Sequence, residues 1–380
     1  MNIWLISIFE QTPLDNTYSW RFMGIAEAAV DEGHNVTFFA STFRHTSKKQ
    51  RYLKTTRVKV ADNYDMLYVK SNAYKKNVSF ERLYSHYAYS KTLIREIEKI
   101  ETKPDVILIA YPPISIANEI TKWAKKNAIP TVLDIIDPWP DILNKNRQGI
   151  FGSVPSFVVA PLKKKIQRIF TDATAISAIS KKYIDWGSGY NNKHINSPFF
   201  YPAVDLTTIQ NDMESISKTE VKSSEEFRVI YAGSLAVSYD INTILKAAEI
   251  LQAKFGNKIQ FIIAGKGIQD VAVKKYIKEF SNLRYLGWLT KEQLLKEYYN
   301  ATLGLAQYTF GSTQTVTYKL FDLLSFNLPI LNSLVGEMNE IIEENKVGLF
   351  NEPGDAQQLA ENIELLYEDR KLLGVLQKKL

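Results

Sequence analysis

Short apolar runs alternate with amphipathic stretches along all 380 residues, in two series separated by a single polar stretch. In the first series the pattern predicts strands at 2–9 (NIWLISIF), 35–40 (NVTFFA), 105–110 (DVILIA), 131–136 (TVLDII) and 173–178 (ATAISA), with helices near 19–32, 80–100, 114–127 and 156–170. The second series predicts strands at 227–232, 259–264, 283–286, 302–306 and 328–332 and helices near 240–255, 269–280, 290–299, 316–326, 337–344 and 355–367. Such alternation is the signature of a parallel sheet covered on both faces by helices. The stretch LTTIQNDMESISKTEVKSSEEF is rich in Ser, Thr and charge, so the expected organisation is an N-terminal domain over 1–205, a linker over 206–226 and a C-terminal domain over 227–380. Two doubly wound α/β domains then face each other. In such sheets ligands bind outside the carboxyl ends of the strands, which makes the cleft between the domains the expected site.

Composition narrows the function classes. There is no cysteine, which removes disulfides, thiolate metal sites and Cys nucleophiles together and fits a reducing compartment. The opening MNIWLISIF lacks a basic leader and runs into Glu10, and no stretch has the 18 uncharged apolar residues of a membrane span, so a cytoplasmic protein is expected. Net charge is +6, unevenly placed: residues 1–200 hold 28 Lys and Arg against 18 Asp and Glu, a balance of +10, whereas residues 201–380 hold 19 against 23, a balance of −4. The first half is therefore expected to meet an anionic surface or a phosphate-bearing acceptor. Nucleic acid is not expected, because the basic residues form no long run and no nucleic-acid motif is present.

Three stretches of the second series suit a phosphate ligand. FRVIYAGSL places Gly233 and Ser234 directly after a strand, and FIIAGKGIQD repeats the pattern with Gly265, Lys266 and Gly267. Glycine lets phosphates approach backbone amides, although each of these is also an ordinary turn signal. In QTVTYKLFDLLSFNLPIL, residues 314–331, Thr315 or Thr317 can cap a helix whose dipole favours an anion. Lys319 adds a full positive charge near that end, and Asp322 is placed to accept two hydroxyl hydrogen bonds from a ribose. The competing reading puts Lys319 and Asp322 on a solvated helix face. In the first half, the segment 150–170 sets large apolars beside Lys163, Lys164, Lys165 and Arg168; it suits either a headgroup interface or an ordinary surface helix. His34, His45, His86 and His194 are scattered without metal-ligand spacing.

The succession GHNVTFFASTFRH, DIIDPWPDI, AISAIS, YAGSL, IIAGKG, LRYLGWLTKEQL and YKLFDLLSFNLPILNS resembles glycosyltransferase family 4, the retaining GT-B enzymes, and especially members that build bacterial surface polysaccharides such as lipopolysaccharide or capsule. The family's E-x7-E pair falls here on Gln314 and Asp322, so the resemblance implies a ribose role for Asp322 and a sugar contact through the amide of Gln314. The family's phosphate-binding Arg and Lys are missing, their places lying near Ser234 and Tyr239, which leaves Lys266, Lys319, the Gly233–Ser234 amides and the helix dipole for the leaving diphosphate. TPLDNTYSWR replaces the family's first glycine-rich loop, with Asn16 and Arg21 as candidate acceptor contacts. In DPWPD, Asp137 is the candidate carboxylate toward the acceptor hydroxyl and Trp139 a candidate stacking surface; an Asp bonded to turn amides and a packed Trp are the alternatives.

The resemblance implies a retaining hexosyltransferase that needs no metal or other cofactor. It would move a hexose or N-acetylhexosamine from a nucleotide diphosphate-sugar, UDP-linked, to a saccharide acceptor, lipid-linked, at the inner face of the membrane. Two rivals remain at this point: a GT-B nucleotide-sugar epimerase, and a degenerate subunit that binds sugar or a partner without catalysis. A dinucleotide-dependent oxidoreductase is disfavoured because no G-x-G-x-x-G follows a strand.

Overall fold

The first series builds a seven-stranded sheet. A computed structural model describes residues 1–15, 21–76, 79–141, 156–194, 196–217 and 226–378, with the backbone alone for 156–160 and Asn192. It divides the chain into two units, Met1–Tyr201 and Pro202–Leu380. The N-terminal unit runs β1 (Asn2–Ile6), α1 (Arg21–Asp31), β2 (Asn35–Ser41), β3 (Phe43–Arg44), β4 (Lys49–Gln50), β5 (Thr56–Ala61), β6 (Tyr64–Val69), α2 (Phe80–Glu98), β7 (Val106–Tyr111), α3 (Ile114–Lys126), β8 (Thr131–Ile135), α4 (Ser156–Asp172), β9 (Ala175–Ala178) and α5 (Lys181–Ser188). The main sheet has the order β5-β6-β2-β1-β7-β8-β9, and β3 pairs with β4 separately. All neighbours in the main sheet are parallel except β5 against β6.

The central strands are near-continuous apolar runs because helices cover both faces. Trp4, Ile107, Ile109, Leu133 and Ile176 are buried with Ile166, Ile169 and Phe170 of α4. The large apolars of the described part of 161–170 therefore belong to the core, and Lys163–Lys165 form an exposed surface. For those residues the surface-helix reading replaces the headgroup-interface one; residues 150–155 and the side chains of 156–160 lie outside what is described. The strands β5 and β6 go beyond the sequence expectation. Charged residues interrupt their apolar pattern, since TRVKVA is an exposed edge and Asp65 of YDMLYV pairs with Arg57 at 2.6 Å.

The C-terminal unit runs α6 (Leu206–Ser217), β10 (Phe227–Ala232), α7 (Ile241–Phe255), β11 (Ile259–Ala264), α8 (Asp270–Glu279), β12 (Leu283–Gly287), α9 (Lys291–Asn300), β13 (Leu303–Ala306), α10 (Tyr318–Ser325), β14 (Ile330–Asn332), α11 (Glu337–Asn345), β15 (Gly348–Phe350), α12 (Ala356–Glu368) and α13 (Arg370–Gln377). Its sheet is wholly parallel, in the order β12-β11-β10-β13-β14-β15. The strand order reverses between β10 and β13, so the loops after these strands flank a topological switch point. The expected linker is corrected over its first half: α6 buries Ile209 and Ile216, seven residues apart on one face, and Asp212 pairs with Lys291 of α9 at 2.9 Å. Of its four large apolar residues, Leu206, Ile209, Met213 and Ile216, only Ile209 and Ile216 are buried, and the surrounding Ser, Thr and charge hid the helix in the sequence.

One buried ion pair ties together the carboxyl edge of the first sheet. Arg21, at the start of α1, donates from Nε to Asp134 Oδ2 at 2.6 Å and from Nη2 to Oδ1 at 2.9 Å, and from Nη1 to the Phe200 carbonyl at 2.6 Å. Ser177 of β9 donates to the same carboxylate at 2.7 Å, and Asp134 is fully buried. Arg21→Ala leaves that charge uncompensated and is expected to cost about 3–5 kcal/mol of stability. Arg57→Ala, at the solvated Arg57–Asp65 pair, is expected to cost under about 1 kcal/mol. Urea unfolding of both variants checks the contrast.

Candidate functional site

Three loops meet at the carboxyl edge of β10 and β11. Gly233 follows β10 with φ of 147°, and Gly265 follows β11 with φ of 139°, a region that favours glycine. A Cβ on Gly265 would lie 1.7 Å from the Gly233 carbonyl oxygen, one on Gly267 2.4 Å from the Leu235 carbonyl, and one on Gly233 1.9 Å from Lys319 Nζ. Backbone hydrogen bonds join the loops, with Gly233 N donating to Ala264 O at 2.9 Å and Leu235 N to Lys266 O at 3.0 Å. Close backbone approach accounts for Gly265 and Gly267, and the Lys319 side chain for Gly233. Lys266 is exposed and meets the other loops through its carbonyl, while Ser234 accepts the Tyr231 hydroxyl on its carbonyl at 2.7 Å.

Lys319 reaches into this junction from the first turn of α10. Its ammonium donates to the Ala232 carbonyl and stands over the rings of Tyr231 and Tyr239, 4.6 and 5.0 Å from their centroids. Burial pushes its pKa down to about 8, partly offset by the negative charge of Asp322. Burial likewise pushes Asp322 up to about 6, offset by Lys319. The two are half-buried charges one turn apart, which excludes a fully solvated face as the home of this pair.

The N-terminus of α10 falls at Tyr318, with Thr317 in the capping position. Its hydroxyl pairs with the Tyr308 hydroxyl at 2.7 Å and does not cap the helix, so the first-turn amides keep no side-chain acceptor from it. Thr315 is buried, and its Oγ1 has no hydrogen-bond partner among the described residues; the same holds for Gln314 Oε1. Gln314 Nε2 donates to the Tyr239 hydroxyl at 3.3 Å. Gly233, Lys319, Gln314, Thr315 and Asp322 are thus gathered at the start of one helix and the end of one strand. Their two unsatisfied polar atoms, a cation and uncapped amides suit an anionic, hydroxyl-bearing ligand. Sequence reasoning missed Tyr231, which walls in the lysine, and Tyr308, which takes the Thr317 hydroxyl, because no spacing rule marks such contacts.

The N-terminal candidates sit on their own unit. Asp137 follows β8, half-buried, with its pKa raised to about 6 by burial and opposed by the charge of Arg82. Trp139 packs against the core, and its carbonyl accepts the Tyr111 hydroxyl at 2.8 Å, which agrees with the packed alternative. Arg21 is committed to Asp134 and Phe200 in place of the loop contact expected of it. Asn16 lies outside the described residues. A further carboxyl not marked in the sequence is Glu10, buried beneath the first turn of α1 and pushed up to about 7 by that burial. Among the described residues there is no group of three or more His, Cys, Asp or Glu able to hold a metal ion, and no helix long and apolar enough to cross a membrane.

Comparison with known proteins agrees with this geometry. Residues 226–369 match the family model described as glycosyl transferases group 1. No curated protein sequence matches the chain. Sucrose-phosphate synthase from Thermosynechococcus elongatus superposes with a TM-score of 0.70 at 14% identity, covering 100% of this chain and 92% of that one. The E. coli trehalose-6-phosphate structure bound with UDP-2-fluoro glucose gives 0.67 at 11%, covering 100% and 96%. Anabaena HepE in complex with UDP-glucose gives 0.64 at 12%, covering 100% and 93%. The fold is the GT-B fold of glycosyltransferases, two Rossmann-like parallel-sheet domains, and the resemblance read from the sequence is borne out at that level.

The loop junction predicts a local sensitivity. Gly265→Ala must displace the Gly233 backbone and is expected to cost about 1–3 kcal/mol. Gly374→Ala, inside α13 where an added Cβ meets nothing within 4 Å, is expected to be neutral or stabilising by up to about 1 kcal/mol. Thermal unfolding of the two variants measures the difference.

Proposed function

We propose that this chain is a retaining glycosyltransferase. It moves a hexose or N-acetylhexosamine-type sugar from a nucleotide diphosphate-sugar, UDP-linked, to a lipid-linked saccharide in bacterial surface polysaccharide synthesis. The observation that carries this reading is the desolvated Lys319 ammonium beside the Gly233 backbone, with Asp322 one turn further along α10. Structures sharing the fold that hold UDP-glucose or UDP-2-fluoro glucose support the choice of donor. Asp322 would take the ribose hydroxyls, Gln314 and Thr315 the sugar, and Lys319, Lys266 and the loop amides of Gly233, Ser234 and Gly265 the diphosphate. As the bond from the anomeric carbon to the β-phosphate oxygen breaks, its electron pair moves onto the diphosphate, and the fixed positive charge stabilises it without reorganisation and without a metal. The acceptor oxygen forms the new bond to that carbon on the face the diphosphate leaves, its proton passing to the departing phosphate oxygen, and Asp137 is the candidate carboxylate toward the acceptor hydroxyl.

A lipid-linked acceptor, met on the cytoplasmic side by a peripherally bound enzyme, is supported by α2. Phe80, Leu83, Tyr84 and Tyr87 are 54–90% exposed at the i, i+3, i+4 and i+7 positions of one helix face, just after the exposed Lys75 and Lys76. Apolar residues seldom gather on a solvent face without a partner surface, and the neighbouring cations complement anionic lipid. A second reading, a binding subunit without catalysis, is favoured by one observation: near the place where the family resemblance implies a phosphate-binding cation stands Tyr239, and its hydroxyl accepts from Gln314.

Thermal shift against UDP, GDP, CMP and NADH tests the donor site. At about a hundredfold excess over the dissociation constant, UDP alone is expected to add about 2.7 kcal/mol of stability. No shift with any nucleotide overturns the reading, and UDP binding without transfer to any acceptor supports the binding subunit. Lys319→Ala is expected to lower transfer at least about tenfold, or about 1.4 kcal/mol in the barrier, with the fold intact. Since the free protein's Asp322 takes up a proton below about pH 6 and Lys319 loses one above about pH 8, UDP affinity is expected to be level between those values and to fall above pH 8. In Lys319→Arg, which stays charged, titration calorimetry should show that alkaline fall removed.

A further inference from the structure

The ammonium of Lys319 has two aromatic covers, and they are held differently. Tyr231 is fully buried in β10, with its hydroxyl committed to the Ser234 carbonyl at 2.7 Å. Tyr239, in the loop before α7, is half-buried, and its ring centroid lies 5.0 Å from Lys319 Nζ. The backbone of Tyr239 is pinned: its amide donates to the Ala236 carbonyl at 3.0 Å, its carbonyl accepts from Gln269 Nε2 at 2.9 Å, and it bridges to Tyr308. Its side chain is held more lightly. The ring meets those of Tyr308 and Tyr231 at 5.4 and 6.3 Å, and its hydroxyl accepts from Gln314 Nε2 at 3.3 Å, beyond the usual range of about 2.7–3.2 Å for such a bond.

The Gln314 side chain is suited to a change of partner. Its Oε1 is buried without a hydrogen-bond partner among the described residues, and so is the hydroxyl of the adjacent Thr315, a residue only 3% exposed. Buried polar atoms without partners are unfavourable, and a ligand hydroxyl, which donates and accepts, answers two of them at once. Turning the amide toward such a hydroxyl takes Nε2 away from Tyr239. The groups packed around Lys319 Nζ are the Ala232 carbonyl, the Gly233 backbone and the two tyrosine rings. Of these, the Tyr239 ring is the one that can leave by side-chain rotation alone, without moving a strand or its loop.

We propose that Tyr239 and Gln314 form a latch across Lys319 that a hydroxyl of the donor's sugar opens: the sugar takes the Gln314 amide, and the released tyrosine ring turns off the ammonium and admits the diphosphate. This deepens the donor half of the function proposed above and rests on it. Tyr239 thereby becomes a specificity-determining residue, since a nucleotide that lacks the sugar has to break the latch with nothing to replace the lost bond.

Titration calorimetry of UDP, UDP-glucose and UDP-N-acetylglucosamine with wild type, Tyr239→Phe, Gln314→Ala and the double variant tests the latch. Tyr239→Phe keeps the ring over the ammonium and removes its tie, and Gln314→Ala removes the same tie from the other side. Each is expected to bind UDP about threefold or more tightly than wild type, and the double variant no more tightly than either. The wild-type preference for the better-bound sugar nucleotide over UDP is expected to shrink by a similar factor in Tyr239→Phe. A tyrosine that only fills space predicts the opposite sign, a loss of UDP affinity when its hydrogen bond is cut. Urea unfolding of the free variants checks that each folds; where one does not, the other decides. UDP binding that is unchanged or weaker in a folded single variant overturns the latch, as does additivity in the double variant. So does a wild type that binds neither sugar nucleotide more tightly than UDP. Failure of wild type and variants alike to bind any of the three compounds overturns the donor reading itself, and the latch with it.

Discussion

The close approach of two loop backbones to one lysine organises the candidate donor site. Lys319 occupies the space where a side chain on Gly233 would be, and Gly233 in turn lies where a side chain on Gly265 would be. A larger residue at Gly265 moves the Gly233 backbone, and one at Gly233 displaces the ammonium itself. The tyrosine rings of Tyr231 and Tyr239 then hold that ammonium away from water while offering it their faces. Removing a cation from water raises its interaction with any arriving anion, because the local dielectric falls. The same removal lowers its pKa, so the site carries its full charge only below about pH 8.

Charge is handled in two different ways on the N-terminal unit. Asp134 is buried and fully answered, by Arg21 and Ser177, and this arrangement holds the start of α1 against β8 and β9. A cluster of Lys48 and Arg82 with the imidazoles of His45 and His86 has its charges set against one another at the carboxyl edge of the same sheet, where doubly wound folds bind ligands. The first arrangement is a structural solution. The second keeps both imidazoles neutral, and the charge of Arg82 reaches the Asp137 carboxylate.

Much of the fold was legible because buried parallel strands leave continuous apolar runs. NVTFFA, DVILIA, FRVIYA and IQFIIA all became central strands close to their expected bounds. The strands β5 and β6 were not legible, since an edge strand with one exposed face and an Asp–Arg pair reads as polar chain. The helix α6 was hidden for a similar reason, its core contact resting on Ile209 and Ile216 alone. Within the candidate site, Gly233, Gly265, Lys319 and Asp322 could be read from their position after strands and within one helix, and Gln314 from the spacing it shares with Asp322 in the family resemblance. The tyrosines around Lys319 could not, because their role depends on contacts across β10, β13 and the loop at Tyr239. Arg21 misled the reading, as a basic residue in a loop carries no mark of the buried carboxylate it will find 113 positions later.

The central claim is that a nucleotide diphosphate occupies the junction of Gly233, Gly265 and the start of α10. A crystal structure of the protein with UDP tests it most directly. The account predicts a phosphate oxygen within hydrogen-bond distance of Lys319 Nζ and of the loop amides near Gly233, with the ribose hydroxyls on the Asp322 carboxylate. UDP bound elsewhere on the chain, with Lys319 still donating to the Ala232 carbonyl, would contradict it.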